Sequence, residues 1–493
     1  MYPDFLWYLL FIMSGQSLKE KTAKSLLWGG LSNSIQQLLN LFFGIFLART
    51  LSRADYGMVG MLSIFSLIAS SLQESGFTAA LTNKKEIRHE DYNAVFWFSV
   101  GMGTTLYIVL SCCAPLIAAF YNTPELTSLA RYSFLGFFIS SLGVAQSAYM
   151  FRNLLVKQRS IAMMSALAIS GTVGVLLAVN GFSYWGIATQ NIVYVSVLTI
   201  LYWFYSPWRP SFHFDFRPIK SMLSFSSRLL ITNIFGHINY NILSVVLGKY
   251  YSGQAVGDFN QANKWNYMGY SVIVGMINGV AQPVLVNVSD DTERQKRVFR
   301  KMLRFTAFIS FPCMFGLSLI APELITIAIT SKWSESASIL QILCIGSAFT
   351  SITNLYSNLI ISKGKSQLFM WNTIALGIIQ VTSMFCCHPY GIMFMIKCYV
   401  TINVCWLLVW QYFVWREIGL SLFQGLQDIL PYAFIAGITM WVTGYITRLF
   451  ELNLYVTCLS RILLAALIYT IIMWLSGSVT FKESVQYLMK KKR

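Results

Sequence analysis

Asn33, Gln37, Asn40 and Gly44 stand four, three and four residues apart in an otherwise apolar run. On an α-helix that spacing places all four on one face. Asn233, His237, Tyr240 and Ser244 repeat the same intervals further along, with Asn241 alongside. Amides, hydroxyls and an imidazole in lipid must find partners or water. They either tie helices together by hydrogen bonds or line a hydrated cavity, and their recurrence favours the cavity.

Among the ionisable residues inside apolar runs are Glu74 in SLQESGF, Lys264 in NQANKWNYMGY, and Lys397. A charge at mid-membrane costs about 2.5–3.5 kcal/mol, so such groups usually face protein or water and serve a function. Snorkelling to the membrane surface is the competing account for Lys264 and Lys397, and a helix-end salt bridge is the one for Glu74. Glu74 and His237 are the candidate coupling groups, His237 because an imidazole changes charge near physiological pH.

Bond-breaking chemistry has no comparable support. SKGKS (362–366) has Leu359 where a P-loop needs its first glycine, and neither H-E-x-x-H nor a nucleophile elbow occurs. Asp55, Glu125, Asp258, Glu323, Glu335 and Glu451 are scattered singly. The nine cysteines lie in apolar runs without C-x-x-C spacing and read as small buried hydrophobes. The expectation is no enzyme, no metal and no cofactor.

The elements carrying these residues follow from composition. Of 493 residues, 56% are hydrophobic and 11% charged, against about 25% charged in soluble domains. Runs of about 20 apolar residues suffice to cross the membrane as helices. The pattern predicts an all-α polytopic membrane protein of about 14 transmembrane helices: 26–48, 58–80, 93–113, 131–151, 162–181, 185–206, 225–247, 262–284, 304–321, 338–360, 369–387, 392–413, 429–449 and 454–475.

With the N-terminus inside, alternate connections hold 27 of the 36 basic residues, as the positive-inside rule expects. Both termini are thus expected in the cytoplasm. RQKRVFRKMLR (294–304) reads as an anchor beside anionic membrane lipids, and no nucleic acid is expected despite the net charge of +17. MYPDFLWYLLFI makes a poor signal peptide, and Met13 is an alternative start.

A shift of 200 pairs Asn33 with Asn233, Leu47 with Leu247, Arg49 with Lys249, Ser52 with Ser252 and Gly57 with Gly257. Ala114-Pro115 pairs with Ala321-Pro322 and Arg159-Ser160 with Lys365-Ser366 at nearly the same shift. This predicts two six-helix lobes as a parallel repeat plus two C-terminal helices. The division is a tail 1–24, an N-lobe 25–207 (spans 1–6), a C-lobe 208–415 (spans 7–12), spans 13–14 in 416–476, and a basic tail 477–493. Transporters with such repeats bind substrate between them.

LARTLSRADYGMVGMLSIFSLIASSLQESGFTAALTNKKE (47–86) and DFNQANKWNYMGYSVIVGMINGVAQPVLVNVSDDTERQKRVFRKML (258–303) resemble the Wzx-type polysaccharide and O-antigen flippase family, of the multidrug/oligosaccharidyl-lipid/polysaccharide exporter superfamily. The resemblance runs from about residue 17 to 475. It implies alternating access by two lobes in the bacterial inner membrane. The implied substrate is an undecaprenyl-diphosphate-linked oligosaccharide, moved from the cytoplasmic to the periplasmic leaflet, with polysaccharide polymerase machinery as a partner.

The resemblance also implies a cationic cavity. Lys264 stands where related sequences often carry Arg, and Arg49 matches the basic position ending span 1. Both suit a diphosphate. With Asn33, Gln37, Asn40, Asn233, His237 and Asn241 they form the expected substrate site; Trp265, Tyr267 and Tyr270 could stack on sugars. The alternatives are a cation-coupled multidrug or toxin exporter, disfavoured because span 1 has no acidic residue, and a membrane-embedded glycosyltransferase or polymerase, disfavoured by short loops.

Overall fold

The computed structural model describes residues 15–74, 87–212, 217–450, 452–478, 480–483 and 486; for 15–31, 74 and 217–229 it describes the helical backbone only. Among the described residues there is no strand. The helices are α1 (Gly15–Thr50), α2 (Arg53–Glu74), α3 (His89–Tyr121), α4 (Leu126–Ser141), α5 (Val144–Arg152), α6 (Val156–Val179), α7 (Tyr184–Tyr205) and α8 (Arg217–Tyr250). They continue as α9 (Gly253–Asn287), α10 (Thr292–Ile329), α11 (Ser334–Ser362), α12 (Ser366–Cys387), α13 (Ile392–Ile418), α14 (Leu422–Arg448) and α15 (Leu454–Leu475).

Among the described residues twelve helices are long and apolar enough to cross a membrane, and counting α4 with α5 as one span makes thirteen. The protein is an all-helical multi-pass membrane protein. Each predicted span overlaps a helix; α1, which holds span 26–48, lies outside the twelve.

The predicted span 131–151 is not continuous. It bends by 44° between α4 and α5. A break of this kind frees carbonyls that lipid cannot satisfy. Here Thr199 Oγ1 donates to Ile139 O at 3.3 Å and Trp203 Nε1 to Leu142 O at 2.7 Å, so α7 supplies the missing donors.

The spacing of LARTLSRADYG and LGKYYSGQAVG reflects two tight helix junctions. α1 ends at Thr50 and α2 starts at Arg53; α8 ends at Tyr250 and α9 starts at Gly253. In the first, Ser52 N and Oγ donate to Asp55 Oδ2 at 2.8 and 2.7 Å, and Asp55 N donates to Ser52 Oγ at 3.2 Å. In the second, Ser252 Oγ accepts from Ala255 N at 3.2 Å. Serine at the N-cap satisfies donors that a helix start leaves orphaned. Arg49 and Lys249 occupy the last turns of α1 and α8, where a cation complements the helix dipole.

The chain forms two compact units, Met1–His237 and Ile238–Arg493, and the division falls inside α8. In the first unit α1 packs on α6, α6 on α7, and α3 and α7 on α4. Small residues permit the close approaches. A Cβ at Gly171 of α6 would overlap the Phe43 ring of α1, and one at Gly103 would meet Ser141 Cβ at 2.7 Å. The segment after α7 is pinned to α3: Trp97 Nε1 donates to Ser211 O at 2.8 Å, and Ser211 N to Asn93 Oδ1 at 2.9 Å.

In the second unit α11 is central, packed by α9, α10 and α13. Its buried face includes Leu340, Leu343, Ala348, Ile352, Leu355 and Leu359. The two last helices lie against α10 and are fastened near both of its ends. Arg300 of α10 makes a two-pronged contact with Asp428 of α14 (Nε–Oδ2 2.6 Å, Nη2–Oδ1 3.1 Å), and Arg304 Nε lies 3.1 Å from Asp428 Oδ1. Towards the other end Arg461 Nη1 of α15 donates to Glu323 Oε1 at 2.7 Å and to Leu319 O at 3.1 Å. Midway, Tyr469 Oη donates to Phe308 O at 3.0 Å.

Candidate functional site

On α1 three stripes run side by side. Ser32, Phe43, Leu47 and Ala48 are buried; Leu38, Phe42 and Phe46 are exposed and apolar, as a lipid-facing stripe would be. Asn33, Gln37 and Asn40 are exposed on the side roughly opposite Leu38, Phe42 and Phe46, with Gly44 continuing their line. Gln36, by contrast, is engaged within the helix, its Nε2 donating to Ser32 Oγ at 2.8 Å. The predicted polar face thus exists as an exposed stripe within the first unit. Arg49 is exposed in the last turn of α1. The side chain of Glu74 lies outside the described residues.

The matching stripe of α8 grades from exposed to buried. Asn233 is exposed, His237 and Tyr240 are half-buried, and Asn241 and Ser244 are 4% and 2% exposed. Ser244 Oγ donates to Asn260 Oδ1 of α9 at 2.8 Å. At Ser244, therefore, the polar pattern joins neighbouring helices. Only the earlier part of the stripe is open.

Lys264 stands in the fourth turn of α9, exposed and with no hydrogen-bond or ion-pair partner among the described residues. Asp258 and Gln261 on the same helix are buried instead, and Ser336 Oγ of α11 donates to Asp258 Oδ1 at 3.2 Å. On the next turn Tyr267 and Tyr270 set their rings edge to face at 5.4 Å, and Tyr267 is half exposed. Lys264 and Tyr267 thus offer a cation and an aromatic edge on adjacent turns. Lys397 is exposed on α13.

Several polar groups of the second unit are less evident in the sequence. Asn239 Nδ2 donates to Thr373 O at 3.1 Å and Tyr399 Oη to Asn239 O at 3.3 Å. Asn403 Nδ2 donates to Tyr399 O at 2.8 Å and Gln380 Nε2 to Asn403 Oδ1 at 3.1 Å. Asn358 Nδ2 bridges to Asn278 Oδ1 at 3.0 Å and Asn354 Oδ1 at 3.2 Å. Asn239 Oδ1 and Gln380 Oε1 are buried without a partner among the described residues, so this polar seam through α8, α12 and α13 retains acceptor capacity.

Glu323, a solitary external carboxylate by spacing, is instead half of the buried pair with Arg461, each side chain 11% exposed. Arginine seven residues into the apolar run beginning at Leu454 was the available signal. Among the described residues no group of three or more His, Cys, Asp or Glu could hold a metal ion.

Known proteins place this arrangement in context. The chain is 25% identical over 355 residues to the lipopolysaccharide biosynthesis protein WzxC of Escherichia coli (strain K12), covering 71% of each chain. It is 25% identical over 380 residues to the teichuronic acid biosynthesis protein TuaB of Bacillus subtilis (strain 168), covering 74% of this chain and 76% of TuaB. Among solved structures, the lipid II flippase MurJ in an inward closed conformation matches with a TM-score of 0.76 at 16% identity, over 93% of this chain and all of MurJ. An inward-facing multidrug resistance MATE transporter matches with a TM-score of 0.63 at 16% identity, over 78% of this chain and 94% of its own. At these identities the structures show the fold alone. The profile of the family described as "Polysaccharide biosynthesis protein" matches residues 46–338, a stretch that begins just before the α1–α2 junction and ends within α11. The chain belongs to this polysaccharide biosynthesis protein family.

Proposed function

We propose that the protein is an inner-membrane flippase, not an enzyme, that moves an undecaprenyl-diphosphate-linked oligosaccharide from the cytoplasmic to the periplasmic leaflet by alternating access. The two lobes of this reading are residues 25–207 and 208–415, with both termini in the cytoplasm. The observation that carries it is Lys264, a cation exposed within a membrane-crossing helix and left without a protein partner among the described residues. A charge so placed is costly unless a ligand or water compensates it, and a lipid diphosphate supplies opposite charge. Asn33, Gln37, Asn40 and Asn233, all exposed, suit sugar hydroxyls. Family membership and the names of WzxC and TuaB support a polysaccharide-related cargo.

His237 and Glu74 are the groups on which proton or sodium coupling would fall. The polysaccharide polymerase machinery would act on the translocated product, and anionic lipids would meet the basic segment 294–304.

Mass spectrometry of lipid-linked intermediates in cells depleted of the protein tests the reading. One undecaprenyl-diphosphate oligosaccharide should accumulate. Absence of any such intermediate, with new sensitivity to cationic dyes, would replace the flippase by a multidrug exporter.

A further inference from the structure

α12 and α13 run antiparallel and are joined by a ladder of side chains. Trp406 Nε1 donates to Asn372 Oδ1 at 2.7 Å. Gln380 Nε2 donates to Asn403 Oδ1 at 3.1 Å. The next rung is Cys387 against Cys398, with their Sγ atoms 3.6 Å apart. Each rung advances along α12 as it retreats along α13, so the two thiols occupy the seam in register with the polar pairs.

The turn above them is held in place. The rings of Tyr250 and His388 stack at 4.0 Å between centroids, Tyr251 Oη donates to His388 O, and His388 Nδ1 lies 2.6 Å from Phe385 O. Cys387 is the last residue of α12, and Cys398 lies two turns into α13. Both are half-buried, whereas the neighbouring Cys386 is exposed and outside the ladder. Thiols in van der Waals contact need an approach of about 1.5 Å to reach the bonded distance of about 2.05 Å.

We propose that Cys387 and Cys398 form a native disulfide that closes the outer end of the α12–α13 hairpin. The proposal rests on the orientation given above, which puts the 388–391 turn in the periplasm, where disulfides persist. The oxidant is a periplasmic protein disulfide. One cysteine thiolate attacks it to give a mixed disulfide, and the second cysteine thiolate displaces the oxidant's thiolate. One S–S bond forms here and one is lost there; two electrons pass to the oxidant, and the two protons end on its thiols. Cysteine at 387 and 398 is then a covalent rung of the same ladder as Asn372–Trp406 and Gln380–Asn403.

The test is differential alkylation in cells carrying the full chain. Cells are quenched in acid, free thiols are blocked with N-ethylmaleimide, and the protein is reduced and labelled with a second, mass-distinct maleimide. Peptide mass spectrometry should find the second label on Cys387 and Cys398 only, with the other seven of the nine cysteines, Cys386 included, carrying the first. First label on both Cys387 and Cys398 overturns the disulfide.

A parallel measurement reads the orientation by itself. Tyr390→Cys in a Cys387→Ser/Cys398→Ser background is treated in spheroplasts with a membrane-impermeant maleimide; Tyr390 is 73% exposed. Labelling there while the native pair is found open means the geometry is wrong. No labelling, with the pair open, means the orientation is wrong and the proposal falls with it.

Discussion

Arg461 of the last helix reaches Glu323 of α10 with Nη1 2.7 Å from Oε1, and both side chains are nearly nine-tenths buried. Its Nε also donates to Thr447 Oγ1 of α14 at 3.2 Å, so one guanidinium holds three helices together. Glu323 Oε2 has no hydrogen-bond partner among the described residues. The pair therefore depends on a single strong contact.

Removing one partner strands the other. Arg461→Met should destabilise the protein by about 3–5 kcal/mol, whereas Glu323→Leu combined with Arg461→Met should recover most of that loss. Thermal unfolding of the detergent-solubilised protein measures both. Equal loss in the single and double variants would show that the cost is packing around Arg461.

Lys264→Ala should abolish export and cause the lipid-linked intermediate to build up, while the protein inserts normally and unfolds within about 0.5 kcal/mol of the parent, as expected away from buried contacts. Lys264→Arg should retain activity because the charge is kept. Unchanged export in the alanine variant would remove Lys264 from the site.

Replacing Asn33, Gln37 and Asn40 together by Leu tests the exposed stripe of α1. Export should fall while thermal stability holds, because none of the three is buried. A large drop in stability with export retained per folded molecule would instead mark these amides as ties between helices.

Gly171 lies directly against the Phe43 ring. Gly171→Ala should cost about 1–3 kcal/mol through overpacking, and Phe43→Leu in the same chain should relieve part of it. A neutral Gly171→Ala variant would show that α1 and α6 can separate slightly without penalty.

Where the helices lie was legible, because apolar runs follow a local rule. Where they begin was less so: the runs placed the second and eighth spans from 58 and 262, whereas α2 and α9 start at Arg53 and Gly253, capped by Ser52 and Ser252. The break between α4 and α5 was not legible, since the donors that make it tolerable, Thr199 and Trp203, come from a different span. Helical spacing likewise identified the polar faces of α1 and α8 but could not say which neighbour each residue meets. Ser244 meets Asn260, while Asn33 is exposed and meets no such partner among the described residues. Arg461 and Glu323 are 138 residues apart, and neither alone shows which charge it meets. Their pairing belongs to packing, on which periodicity is silent.

The two charged fastenings on α10 also fix a length. Arg304 and Glu323 are nineteen residues apart on one helix, or about 29 Å at 1.5 Å per residue. That is about the hydrocarbon thickness of a bilayer. α10, clasped to α14 at one end and α15 at the other, therefore acts as a gauge block. In a bilayer thicker than that separation, at least one clasp lies in hydrocarbon, at a mismatch cost that grows with each ångström. Lipid chain length should thus set how firmly the last two helices stay seated.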